Sequence, residues 1–245
     1  MTGFETIIYE KLGGVGYVTL NRPQVLNAYN LRMRDELYQV LGAVNDDPDV
    51  GVVIFQGAGE RAFCAGADLS EFLTAPSPAI ARQVRWERDV WGRFLGVGQP
   101  LIAALHGYVL GDGIEIALCC DIRLASEDAQ FGMPEPGLGI VPAAGGSQTL
   151  PRAIGGARAL DVLLTGRWLG ADEACRLGLV NRVVPRRDLL PSAERLAEKI
   201  LSHGQTAVRC AKQAINRGLD LSLEQGLDLE ARLGGYVMSG RPTGL

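Results

Sequence analysis

Residues 100–152 read PLIAALHGYVLGDGIEIALCCDIRLASEDAQFGMPEPGLGIVPAAGGSQTLPR, and this stretch decides the fold. It opens on an unbroken apolar run, residues 101–105, as a strand covered on both faces requires. A glycine-rich turn over residues 107–113 leads into a helix where one acid, Glu115, stands among Ile114, Ile116, Ala117 and Leu118. A second strand-like run, residues 122–125, follows. Strand, turn, helix and strand in that order predict an α/β chain with a largely buried sheet. Further on, Glu135 lies between Pro134 and Pro136 in a Gly-rich loop. Carboxylates in apolar surroundings are costly to bury, so the stretch that sets the fold also points to chemistry.

Working outward towards the N-terminus, residues 7–10 and 15–20 are β-type runs around Gly13-Gly14, a hairpin signal. NRPQVLNAYN then reads as a loop. Asn30 is a natural N-cap for a helix whose Leu31, Leu37, Val40, Leu41 and Val44 recur at helical spacing, ended by Asp46-Asp47-Pro48. Residues 50–55 form an apolar strand closed by Gly57-Ala58-Gly59, and RAFCAGADLSEF reads as a small-residue loop. Residues 76–98, with Trp86 and Trp91, predict a partly amphipathic helix. Beyond Arg152 the pattern predicts helices over residues 157–164, 171–177, 189–202, 205–217 and 222–238. Asp172 and Ser222 lie near their starts, and Gly166, Gly178, Gly204 and Gly218 at their ends. The expected organisation is an α/β core over residues 1–190 and a C-terminal helical region over 191–245, packed on the core or on another subunit.

Composition narrows the partners. With 245 residues, 47% hydrophobic and 21% charged, the chain has the make-up of a soluble globular enzyme. A net charge of −4 and the lack of a basic run argue against a nucleic-acid partner. The five cysteines show no paired spacing, and two histidines are too few for a zinc set. MTGFETIIYEKLGG has no apolar core of a signal peptide, and no segment is long and apolar enough for a membrane span. A reduced, cytoplasmic protein without metal, nucleic acid or membrane contact is expected.

The motif Gly111-Asp112-Gly113 invites a dinucleotide-binding reading, but the fingerprint wants a small residue where Ile116 stands. The start of the helix offers something else. Its first N–H groups lack internal partners and carry partial positive charge, and Gly111 and Gly113 allow a ligand oxygen close to them. Cys64-Ala65-Gly66-Ala67-Asp68 is a second loop of that kind. Two such N–H groups aimed at one carbonyl make an oxyanion hole; the same two loops read equally well as tight turns. Glu115, four residues after Gly111, faces either that pocket or solvent. Glu135, held by its prolines, suits a general acid or base, or a surface turn. If the two acids are close, their like charges split their pKa values into one acid and one base. Cys64 has no histidine partner and reads as a small buried residue rather than a nucleophile.

Taken together, AFCAGADL, GYVLGDGIEIALCCDIRLASEDAQFG, MPEPGLGIVPAAGGSQTLPR, LTGRWLGADEACRLGLVNRVV and NRPQVLNA resemble the enoyl-CoA hydratase/isomerase (crotonase) superfamily. The resemblance runs in order from about Ile7 to about Gly240. It implies a crotonase-like spiral of repeated ββα units with a C-terminal helical trimerisation region, assembled as a homotrimer or dimer of trimers. It also implies an acyl-CoA thioester substrate, coenzyme A being part of that substrate and no separate cofactor being needed. By resemblance, the N–H groups of Ala67 and Asp112 hold the thioester carbonyl, and Ala65, Ala67, Asp68, Leu69 and Gly111 line the CoA side. Glu135 would exchange the α-carbon proton, and Glu115 together with it would hold and activate the water. A glutamate pair favours hydration or dehydration of an enoyl-CoA over the alternatives of the same fold, an isomerase or another acyl-CoA hydrolase or lyase. It also argues against a non-catalytic scaffold, because a buried carboxylate pair brings no structural benefit.

Three departures from the family pattern stand out. Asp112 occupies a position where glycine is usual. An ionised carboxylate about 4 Å from an enolate costs roughly 4 kcal/mol at an effective dielectric of 20, so the Asp112 side chain is expected to turn away, capping the helix or meeting an arginine. Met133 stands where many hydratases have a polar residue, which bears on acyl preference. The chain closes on SGRPTGL, short of a final helix that in relatives can supply a basic contact to CoA.

Overall fold

Gly13 and Gly14 turn with φ of +60° and +83°, a conformation open to glycine without the steric cost a side chain brings. They join β1 (Ile7–Leu12) to β2 (Val15–Leu20) as an antiparallel pair, with Ile7 opposite Leu20. From there the computed structural model, which describes residues 3–74 and 87–240, shows a recurring unit: a long strand followed by a short one. β3 (Val52–Gly57) leads to β4 (Ala62–Cys64), β5 (Leu101–Leu105) to β6 (Tyr108–Leu110), and β7 (Ile122–Ser126) to β8 (Gln130–Gly132). The last two strands are β9 (Leu169–Gly170) and β10 (Arg182–Val184). Long strands form a six-stranded sheet, β1-β2-β3-β5-β7-β10, parallel beyond the first hairpin; short ones form a second sheet, β4-β6-β8-β9. Two sheets laid down alternately by successive units give the spiral of ββα units, and this is the fold class expected from the sequence.

The helices in chain order are α1 (Leu31–Asp46), α2 (Val90–Gly96), α3 (Asp112–Leu118), α4 (Gly146–Ile154) and α5 (Gly156–Thr165). They continue with α6 (Ala171–Leu177), α7 (Leu189–Leu201), α8 (Gln205–Gly218) and α9 (Leu223–Ser239). Asn30 caps α1 as expected, its side chain accepting from the Met33 N–H at 2.9 Å. Ser222 opens α9 with a full capping box. The unbroken apolar strands have their explanation in the layers. Val53, Phe55, Leu101, Ala103 and Leu105 pack into the main core on one side, while Val52, Ile54, Ile102 and Ala104 pack beneath α7 on the other.

Several local readings are corrected. The loop expected over residues 61–72 contains β4, and the turn over residues 107–113 contains β6. Strands of three residues are too short to show periodicity. α4 was not expected, since Gly145, Gly146 and Pro151 mask its pattern. Gly204 precedes α8 as its N-cap instead of ending α7. Of the helix expected over residues 76–98, only α2 is seen; residues 76–86, including Trp86, lie outside the described residues.

Two buried polar side chains tie the N-terminal segment to the sheets. Glu36 accepts from the N–H groups of Glu5 and Thr6, from the Thr6 hydroxyl and from Arg32. Burial alone would raise its pKa; these donors outweigh that and hold it at about 2. Asn27 is fully buried with φ +56°, a left-handed conformation that asparagine tolerates better than most residues. Its amide donates to the carbonyls of Ala58 and Ala62, and its oxygen accepts from the Arg22 N–H, all at 2.9 Å. The NRPQVLNA loop is therefore bolted to β4. Replacing Asn27 by Ala takes the amide partner from the buried Ala62 carbonyl, the half-buried Ala58 carbonyl and the Arg22 N–H, and is expected to cost about 2–4 kcal/mol in urea unfolding.

His106, at the β5–β6 turn, is buried with Nε2 3.1 Å from the Gly59 carbonyl. Burial, helped by the Arg186 charge, lowers its pKa from the ordinary 6.5 to about 4. The folded state holds it neutral while the unfolded state protonates, so its contribution is intact above about pH 6.5 and lost towards pH 4. The slope is about 1.4 kcal/mol per pH unit. Thermal unfolding followed between these limits should show the decline, and His106→Gln should flatten it.

Candidate active site

Backbone approach builds the site. A Cβ on Gly113 would collide with the Cys64 carbonyl, so α3 begins hard against the end of β4. Gly66, with φ +98°, brings the following loop within reach of Leu110 and Gly111. The ladder between this loop and the segment before α1 uses the Gly66 carbonyl, which accepts from Tyr29 N–H at 2.8 Å, and the Asp68 N–H, which donates to Tyr29 O at 2.8 Å. It skips the N–H of Ala67. The N–H of Asp112, first residue of α3, is left over in the same way because a helix start has no preceding turn to receive it. Among the described residues neither N–H has an acceptor. The two loops are thus tight turns and N–H donors at once.

Glu115 is 2% exposed, turned inward between the sheets. Its Oε1 accepts from the N–H of Ala144 at 3.1 Å and from that of Gly146, the first residue of α4, at 2.6 Å. A helix N-terminus favours negative charge, so α4 is aimed at this carboxylate. Glu135 follows Pro134 at the head of a single 3-10 turn and is 9% exposed. Its Oε1 lies against the Cα of Gly111, where a Cβ would stand 2.6 Å away. Its Oε2 is buried with no hydrogen-bond partner among the described residues. Burial pushes this carboxyl up, its own N–H draws it partly back, and the Glu115 charge adds to the rise.

Asp112 does not turn away. The N-cap of α3 makes no side-chain capping bond, and no cation pairs with Asp112 among the described residues. Asp112 lines the cavity beside Glu115. Burial, then the adjacent Glu115 carboxyl and the charge of Glu135, raise its pKa well above the usual carboxylate range. The penalty foreseen for an ionised Asp112 is thus met by a raised pKa, which favours the neutral acid, instead of by distance.

These groups share a cavity of about 530 Å³. Of the residues expected from the sequence, Ala67, Asp68, Asp112, Glu115 and Glu135 line it. Gly111 supports it from behind, with its N–H spent on Gly132 O. Ala65 is set back, its N–H bonded to Leu26 O, and Leu69 is exposed at the rim side of the loop. Asp68 is committed to Arg22 at 2.8 Å and to Ser70, which anchors the loop. Tyr29, Arg34, Trp91 and Ile140 also line the cavity; of these, Tyr29, Arg34 and Ile140 were not foreseen. Nor were the Ala144 and Gly146 N–H groups, for which Gly145-Gly146 was the available signal. Cys64 is fully buried and its thiol is pushed up to about 12 by desolvation, which leaves it inert. A second cavity of about 570 Å³ beside α8 holds Arg209, Lys212 and Arg217 but no carboxylate, and so has no acid–base pair.

Gly146 is the tightest test of this arrangement. A Cβ there would stand 2.6 Å from Met133 Cε and 2.7 Å from Glu115 Oε1. Gly146→Ala should displace Glu115 and lower turnover by about 10²-fold, while circular dichroism and the cavity-remote core stay as they are.

The chain matches the family model described as enoyl-CoA hydratase/isomerase over residues 10–241. It is 46% identical over 232 residues to a probable enoyl-CoA hydratase of Mycobacterium bovis, covering 94% of this chain and 88% of that protein. With a crotonyl-CoA hydratase of Syntrophomonas wolfei it shares 42% identity over 229 residues, 93% of this chain and 88% of that one. The crystal structure of an enoyl-CoA hydratase from Bacillus anthracis superimposes with a TM-score of 0.91 at 40% identity, covering 96% of this chain and 92% of the other. With the two glutamates, the paired N–H groups and the alternating strands already in place, the chain belongs to the enoyl-CoA hydratase/isomerase family.

Proposed function

We propose that this protein is an enoyl-CoA hydratase, a hydro-lyase that adds water across the α,β double bond of an acyl-CoA thioester. The observation that carries the reading is the convergence of buried Glu115 and Glu135 on one cavity beside the unspent N–H groups of Ala67 and Asp112. In this scheme the thioester oxygen accepts from both N–H groups. As water bonds to the β-carbon, negative charge moves onto that oxygen, and each fixed donor is worth about 3–4 kcal/mol of barrier. Glu115, oriented by the Ala144 and Gly146 N–H groups, takes one proton from the attacking water. Glu135, whose carboxyl burial pushes upward, delivers a proton to the α-carbon. Its unpartnered Oε2 finds a partner in the water.

The same reading assigns the 65–69 loop to the CoA moiety and makes coenzyme A a part of the substrate, with no further cofactor. Assembly as a homotrimer or dimer of trimers is supported by the apolar residues that the C-terminal helices leave in solvent. Leu219 is 82%, Leu223 80% and Met238 90% exposed, more than a lone subunit would favour. A cytoplasmic setting fits five free cysteines, and among the described residues no helix is long and apolar enough to cross a membrane.

The decisive experiment is hydration of crotonyl-CoA, followed by loss of the conjugated double bond. Glu135→Gln and Glu115→Gln should each reduce kcat by about 10²–10⁴-fold with unchanged circular dichroism. Normal turnover by either variant removes its residue from the mechanism. Conversion of a 3-enoyl-CoA without hydration of the 2-enoyl isomer would move the assignment to an isomerase.

A further inference from the structure

Beside Glu115 and Glu135 the cavity is lined by Asp112, a carboxyl on the same helix as Glu115 that the reaction just described does not use. Asp112 stands three residues before Glu115 on α3, a spacing at which helix side chains meet, and both line the same cavity. Two carboxylates only accept, so a hydrogen bond across this spacing requires that one carries a proton. The surroundings decide which. Glu115 receives the Ala144 and Gly146 N–H groups, which favour its charge. Asp112 receives no N–H and no cation among the described residues. The titratable groups that act on it are Glu115 on its own helix, Glu135 from the loop after β8, Tyr29 from the segment before α1 and Cys64 from β4. Arg34 and Arg88 line the same cavity, and both are ion-paired with Asp35, not with Asp112.

Resting on the hydratase reading, we infer that Asp112 is a positioning residue: it donates its proton in a hydrogen bond to Glu115 and so fixes Glu115 as the base and Glu135 as the proton carrier. Without the third acid, the donors to the Glu115 carboxylate would be the Ala144 and Gly146 N–H groups. With it, the base is held by three. The group keeps its N–H for the thioester oxygen while its side chain sets the charge state of the neighbour, so one residue serves the site through both backbone and side chain.

The test is the pH dependence of crotonyl-CoA hydration in wild type, Asp112→Ala and Asp112→Asn. Because kcat/KM requires Glu115 ionised, its acid limb reports the hydrogen bonds that Glu115 receives. Asp112→Ala should move that limb up by about one pH unit, and Asp112→Asn, whose amide still donates, should bring it back. KM should change less than kcat. Infrared spectroscopy gives a readout that does not depend on turnover. In Glu135→Gln, which lacks the proton of Glu135, a protonated-carboxyl band at neutral pH should remain, and adding Asp112→Asn should abolish it. An acid limb unmoved in Asp112→Ala, or a band that survives in the double variant, overturns the inference. Should the wild type hydrate no enoyl-CoA, the hydratase reading falls alone, and the infrared comparison still decides whether Asp112 holds the proton.

Discussion

Everything at the site depends on how closely the start of α3 approaches the end of β4. Gly113 lies where a side chain would strike the Cys64 carbonyl, and Gly66 closes on Leu110 from the other side. That contact places the Ala67 and Asp112 N–H groups together at one end of the cavity. It also turns the first helical turn of α3 inward, so Asp112 and Glu115 must face the cavity whatever their charge. The glycines are there for proximity more than for flexibility. A helix that began one side chain's width further out would deliver neither donor nor acid.

Having forced acids inward, the fold must deal with their charge. It does so at three positions. Glu115 meets the N-terminus of α4, where backbone N–H groups stabilise an anion. Glu135 keeps one buried oxygen that no donor reaches among the described residues, and burial pushes its carboxyl upward. Asp112 is pushed upward too, by burial and by the adjacent Glu115 carboxyl. Neither Lys nor Arg pairs with any of the three among the described residues, so the site does not quench its acids by ion pairing. Elsewhere the chain uses the opposite solution, as at Glu36, where Arg32 and three further donors hold a buried carboxylate fully ionised.

Much of the large sheet and most helices were legible because their lengths exceed the period of their patterns. Residues 101–105 and 171–177 were placed to the residue. The small sheet was not legible: β4, β6 and β8 have three residues each, and their partners lie in other units of the chain. α4 was hidden by Pro151 and its glycines, although Pro151 lies where the helix can still run. At the site, residue types revealed Glu115 and Glu135, whereas the N–H groups of Ala144 and Gly146 carry no signature in side-chain chemistry. The orientation of Asp112 was misjudged for a definite reason. A fixed negative charge was assumed, and in low-polarity surroundings a carboxyl more readily keeps its proton than moves its backbone.

The alternation of long and short strands bears on how proteins of this shape diversify. Each long strand is anchored in a sheet covered on both faces, and each short strand hands the chain to a loop that reaches the cavity. The loop before α1, the loop after β4, the start of α3 and the turn after β8 therefore arrive as separate segments on a common frame. A change in one segment, such as an acid at position 112, alters the reactive environment without disturbing the register of the others. Inheritance can then act on reactivity one loop at a time while the scaffold passes unchanged.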